Sequence, residues 1–261
     1  MWSRGLCAAL ALVVAGSARA QVDEANAFGR SERGTAALVG IFYDLKQTQQ
    51  RKPLPASRDN YAKIVDQFLI SGFDEAVLNQ YFRAGRPLYT TQIITGMIKA
   101  DAAPKAFGVA EVVKPSYWLI HYKGQVVPPR DGSYRFVGFA DNVLVVAVNR
   151  RVVLVANLAG TELPAIGWKP ASKSEPKPAA QPNSKYGDWV DLRADRPVDV
   201  DILIGERPGG AFHATLLYQQ KGETYPVNDK GEIILPLFQV APLPMADNRF
   251  LTDRAPWKCF E

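Results

Sequence analysis

Between Trp118 and Leu154 short apolar runs are separated by tight polar breaks. Arg130-Asp131-Gly132 divides the Val126 run from the Tyr134 run, Ala140-Asp141-Asn142 precedes the wholly apolar Val143–Val148, and Asn149-Arg150-Arg151 turns toward Val152-Val153-Leu154. Parallel neighbours need a crossover of a dozen residues or more, so breaks this short predict antiparallel sheet. The spacing pairs Tyr134–Phe139 with Val143–Val148, and that strand with Val152–Val155. Further strand-like runs are Thr35–Asp44, Pro87–Ile98, Trp189–Leu192, Val198–Gly205, Ala211–Gln219 and Ile233–Val240. The period changes once. Tyr61, Ile64, Val65, Phe68 and Leu69 follow a helical i, i+3, i+4, i+7, i+8 spacing, with Ser57 or Asp59 as cap and Gly72 as stop. A second short helix is expected over Asp74–Phe82 and a helical turn over Asp101–Phe107. Strands dominate and no strand–helix–strand alternation occurs. The fold class is therefore mainly β: an antiparallel β-sandwich or distorted barrel with a small helical insertion, residues 57–83. That insertion either packs over a sheet or binds a partner.

The ends and one loop have other compositions. Arg4, the apolar run Leu6–Ala15 and the small residues Ser17-Ala18-Arg19-Ala20 form a secretory signal over 1–20, with cleavage expected after Ala20. The run is far shorter than the ~20 residues that span a bilayer, and no later segment is longer and apolar, so no transmembrane segment is expected. The mature chain is expected to be secreted or periplasmic. Residues 21–33 read as a flexible arm, 169–187 as a mobile Pro/Lys loop, and 241–261 as a tail pinned by Trp257 and Phe260. Removing 1–20 takes away Cys7, which leaves Cys259 alone, either as a free or intermolecular thiol or tucked beside the tail aromatics. It also removes Arg4 and Arg19 and no acidic residue, lowering the formal charge from +5 to +3. The basic residues are scattered, which argues against nucleic acid.

Catalytic signatures are missing. The two histidines, His121 and His213, sit in strand-like runs, and no nucleophile elbow, phosphate loop or paired metal-ligand motif appears. A non-catalytic role is expected. Asp141 and Asn142 end one strand and begin the next, so their side chains either project from a rim as ligand contacts or close an Asx turn. Glu206, followed by Gly209-Gly210, lies in a second turn that either joins this rim or is plain hairpin geometry. Trp168 and Tyr186 flank the Pro/Lys loop and are the aromatic rings expected to face a ligand.

These motifs carry a resemblance. Tyr122-Lys123-Gly124, Pro128-Pro129, Gly132-Ser133-Tyr134-Arg135-Phe136 and Asp141-Asn142, followed by two apolar strands, resemble the protective-antigen-type domain, the lectin-like β-sandwich module of toxins, glycosidases and flocculin adhesins. The resemblance covers residues 34–240 apart from the helical insertion. It implies a carbohydrate-binding module with its contact at the Asp141-Asn142 turn; with Glu206, Trp168 and Tyr186, read above from their positions, these are the expected ligand contacts. In the family's sugar-binding members two consecutive aspartates at this turn clamp calcium. Asn142 replaces the second here, which implies a weak calcium site at Asp141 and Asn142, since calcium favours several anionic oxygens. The expected partners are glycans or another envelope protein. Alternatives from other classes are a structural or interaction protein of the envelope and, less favoured, a glycoside hydrolase.

Overall fold

The computed structural model describes residues 26–34, 36–172, 174–242, 249–251 and 253–260. The expected signal, residues 1–20, lies outside them. Two antiparallel sheets face each other without closing into a barrel. The larger contains β1 (Leu38–Asp44), β2 (Phe82–Arg83), β3 (Leu88–Thr90), β5 (Trp118–Val127), β7 (Val143–Val148), β8 (Arg151–Val155), β11 (Val198–Glu206) and β13 (Lys258–Phe260). Its main path runs β2-β1-β5-β11-β7-β8, with β3 also on β1 and β13 also on β5. The smaller sheet runs β10 (Val190–Leu192), β6 (Gly132–Asp141), β12 (Ala211–Gln220), β4 (Ile98–Lys99), with β9 (Lys185–Tyr186) beside β6.

One expected pairing is corrected. β7 pairs with β8 as the Asn149 turn predicts, but β6 does not pair with β7. β6 lies in the other sheet against β12, and β7 is inserted between β11 and β8. The breaks at Arg130 and at Asp141-Asn142 are therefore corners at which the chain changes sheet. The reason lies in the side chains. Val143–Val148 is buried throughout and needs cover on both faces, a demand met by a central strand of a covered sheet. Gly138 shows the same geometry from β6: a Cβ there would come within 2.7 Å of Leu144 Cδ2, so β6 and β7 touch across the sandwich interior.

That interior is packed by Trp118, Ile120, Tyr122, Leu144, Val146, Ile202 and Ile204 from the larger sheet against Tyr134, Phe136, Phe212, Leu216 and Tyr218 from the smaller. A second apolar layer covers the larger sheet's outer face. Ile41, Tyr43, Leu119, Val143, Val145 and Leu203 meet Tyr61, Ile64, Val65, Phe68 and Leu69 of α1 (Arg58–Ile70). The insertion thus packs on the sheet. Ser57 caps α1 by accepting from Asn60 N at 3.1 Å. Gly205 leaves room for Tyr61, whose hydroxyl donates to Trp118 O at 3.2 Å. The expected second helix shrinks to a 3-10 turn, Glu75–Leu78, and Asp101–Phe107 becomes α2 (Ala102–Ala106). Pro87–Ile98 is not one strand, because β3 and β4 belong to different sheets. Ile233–Val240 makes isolated bridges through Ile233, Leu237 and Gln239. Its Leu235 and Leu237 cover Val137 and Leu217 on the smaller sheet's outer face.

Candidate functional site

Asp141, Asn142 and Glu206 meet at one rim of the sandwich, where β6 ends, β7 begins and β11 ends. Asn142 is buried and both ends of its side-chain amide are bonded: Oδ1 accepts from Arg207 N at 2.6 Å, and Nδ2 donates to Asp141 Oδ1 at 2.8 Å. Its backbone N–H donates to Gly205 O at 3.1 Å, which ties the corner to the end of β11. Arg207 is itself buried and reaches Arg58 O, Gly160 O and Thr161 Oγ1, so one guanidinium joins the rim, the start of α1 and the loop after β8.

Glu206 is 1% exposed. Oε1 accepts from Gly209 N at 3.0 Å, the bond that the Gly209-Gly210 turn provides, while Oε2 meets no hydrogen-bond partner. Loss of water, with a smaller contribution from the negative charge of Asp141, pushes its pKa up to about 8. Burial also raises Asp141. Across the β6–β12 ladder Asp141 faces His213, whose pKa is lowered by burial and whose Nε2 lies 3.1 Å from Thr215 Oγ1.

The rim tests the calcium expectation on its donors. Asn142 Oδ1 is turned into the protein by the Arg207 N–H, so it is not free to ligate. The oxygens left for a cation are those of Asp141 and the unpartnered Oε2 of Glu206. Among the described residues no group of three or more His, Cys, Asp or Glu side chains is arranged to hold a metal ion.

The two expected aromatic contacts do not join this rim. Tyr186 is buried, not exposed: it pairs with Val137 on the smaller sheet's outer face, its hydroxyl donates to Pro176 O at 2.9 Å, and Arg135 lies 4.4 Å above its ring. Val137 precedes Asp141 by four residues of an extended strand, roughly 13 Å. Arg135 also binds Glu175 through both guanidinium nitrogens at 2.9 Å and lies 4.5 Å from the Trp189 ring, so the Pro/Lys segment is fastened to β6. Trp168 is half-buried and packs against the sandwich interior.

Sequence reasoning overlooked a second place. A cavity of about 870 Å³ opens on the larger sheet's outer face, beside the Ser71–Glu75 segment that follows α1. At its base His121 is 1% exposed, with Nε2 2.8 Å from Asp201 Oδ1. Phe73 stacks on the imidazole at 5.6 Å and Phe68 meets it edge-on at 5.2 Å. Glu75 is bonded to Lys123, which with His121 and Arg83 outweighs burial and lowers the Glu75 pKa. The signal existed. His121 and Lys123 in β5, and Asp199 and Asp201 in β11, are polar residues at alternate positions of central strands, on the face where a continuous core would be apolar.

No family model and no curated protein matches the chain. Solved structures do resemble it. The PA14 sugar-binding domain from an RTX adhesin is 17% identical with a TM-score of 0.44, over 77% of this chain and 96% of that one. An anti-sigma factor domain-containing protein from Clostridium clariflavum is 13% identical with a TM-score of 0.43, over 79% of this chain and 50% of that one. The Epithelial Adhesin 6 A domain from Candida glabrata, solved in complex with Galb1-3GlcNAc, is 14% identical with a TM-score of 0.43, over 79% and 91%. At such identities and scores the likeness assigns neither a ligand nor a residue role to this chain. Two of these three are lectin-like β-sandwich modules, the type that the Gly132–Phe136 and Asp141-Asn142 motifs resemble.

Proposed function

We propose that the protein is an exported, non-catalytic carbohydrate-binding module whose sugar contact is the rim formed by Asp141 and Glu206. The observation that carries this reading is the buried, unpartnered Oε2 of Glu206 beside a second carboxylate. A buried carboxyl oxygen without a partner is costly, about 1–3 kcal/mol, and a ligand hydroxyl or a cation would satisfy it. With Glu206 raised to about 8, the rim near pH 7 presents a protonated carboxyl beside Asp141, a donor and an acceptor that together orient sugar hydroxyls. Calcium bound here would be held by Asp141 and Glu206 rather than by Asp141 and Asn142, and its charge would favour ionised Glu206. Asn142 is then a positioning residue that fixes Asp141 from below.

The test is a glycan-array screen of the mature chain with calcium and with chelator, repeated for Asp141→Ala and Glu206→Gln. Binding that both substitutions remove is the expected result. A chain that recognises no glycan, or whose recognition is untouched by either change, returns the rim to a structural role. In that case the outer face of the insertion becomes the surface to examine, as expected of an envelope interaction protein.

A further inference from the structure

We propose that the cavity beside the insertion is a second ligand site, built for a neutral pyranose. It shares no residue with the rim and does not depend on the rim reading.

The walls are built. The Ser71–Glu75 segment forms one side, and β5 and β11 form the floor. At the base Nε2 of His121 faces a carboxylate oxygen of Asp201, which only accepts, so Nε2 carries the proton. The other ring nitrogen, Nδ1, is buried and has no hydrogen-bond partner, and His121 lines the cavity; the nearest carboxylate, Glu75, is 3.9 Å away. A buried ring nitrogen without a partner asks for a hydrogen-bonding group on whatever enters, and a hydroxyl can both donate to it and accept from it.

The surroundings decide between ligands. Glu75 and Asp199 on the walls accept, and Lys123, Gln125 and Arg150 donate. Part of this set is already matched, with Glu75 on Lys123 and Asp201 bonded to Nε2 of His121. Asp199 accepts from Gln125 Nε2 at 2.9 Å. A site holding a single ionic group would show an excess of one sign. Here donors and acceptors are interleaved, which suits groups that both donate and accept, namely neighbouring hydroxyls. Lys123 with Glu75 can hold one such pair while a third hydroxyl meets Nδ1 of His121. Phe260, 44% exposed, and Tyr89 add ring faces at the mouth for the C–H side of a sugar.

The experiment uses the mature chain, ¹⁵N-labelled, with chelator present so that any calcium-dependent rim binding is silent. The probes are methyl α-glucoside, methyl α-galactoside and methyl α-mannoside. Glucuronate and glucosamine serve as the charged comparisons. A small ligand in an open groove should bind with a Kd on the order of 1 mM. At least one glycoside is expected to shift the amides of Lys123, Gly124 and Gln125, and to do so equally in Asp141→Ala. Phe260→Ala, an exposed position with little bearing on folding, should weaken binding several-fold, and Glu75→Gln about ten-fold. The proposal is overturned if no glycoside moves these amides, if both variants bind as wild type does, or if only glucuronate or glucosamine binds. If glycoside binding vanishes in Asp141→Ala but survives Glu75→Gln, the cavity is refuted while the rim stands.

Discussion

At the rim Glu206 has given up its water for one backbone N–H from Gly209, with Asp141 as a neighbour of the same sign. In the cavity Glu75 is also partly withdrawn from solvent, yet it faces Lys123 and His121, and its pKa falls instead of rising. Both carboxyls come from the same residue type. What separates them is the sign of the nearest charge and the number of donors each is given. Burial next to a compensating cation leaves a carboxylate ionised and settled. Burial next to another acid leaves a group that is neutral near pH 7 and ready to respond when a donor or cation arrives.

The comparison can be broken most forcefully by removing what walls the cavity. Phe68 is fully buried, packs α1 onto the sheet and touches His121. Phe68→Ala should cost about 3–5 kcal/mol in thermal or urea unfolding and should disturb the cavity amides before those of the rim. Next comes the titration of the rim itself. Glu206 is raised to about 8 from 4.5, so the fold favours its protonated form. Its contribution is fully present below about pH 4.5 and is lost as pH rises through 8, at up to ~1.4 kcal/mol per pH unit. Glu206→Gln should flatten this decline in a series of urea melts between pH 5 and 8.5. An unchanged slope would mean that Glu206 is ionised in the fold.

Asn142 sets the third test. Asn142→Ala leaves the Arg207 N–H without its acceptor and should destabilise by roughly 1–3 kcal/mol. Asn142→Asp keeps that acceptor but sets a second carboxylate against Asp141, so calorimetry should find it less stable in chelator, with calcium restoring the loss. The smallest effect is expected at Glu75. Glu75→Gln removes a partly exposed pair with Lys123, about 0.5–1 kcal/mol at neutral pH. Because the Glu75 pKa is lowered in the fold, that difference should fade as pH drops below the usual glutamate range. A difference that persists in acid would show the pair to be unimportant.

Much of the fold could be read from residue patterns, because each pattern reports one local requirement. The helical period around Phe68 reports a single apolar stripe, and Ser57 reports its cap. The apolar run at Val143 reports a strand covered on both sides. What such patterns do not report is which strands are neighbours. A polar break of two or three residues looks alike whether the chain folds back within a sheet, as at Asn149, or steps to the opposite sheet, as at Asp141-Asn142. Only the partner of Gly138, Leu144 across the core, distinguishes them. The rim was legible because its residues lie at strand ends. The cavity was not, because His121 and Asp201 are 80 residues apart and acquire meaning only when β5 and β11 lie side by side. Tyr186 misled for the same reason: a tyrosine beside a Pro/Lys stretch looks exposed until Arg135 is placed over its ring.

The position of β11 bears on how the chain is made. β11 lies between β5 and β7 and is the strand that joins them. A nascent chain that has not yet reached Val198 has β2-β1-β5 and β7-β8 as two fragments with no ladder between them. Neither fragment can complete a core, and contacts this distant in sequence close slowly. The polypeptide should therefore stay unfolded until nearly four-fifths of it has been synthesised. Folding of the larger sheet thus waits on a late strand, after which only β12 and β13 remain among the described strands.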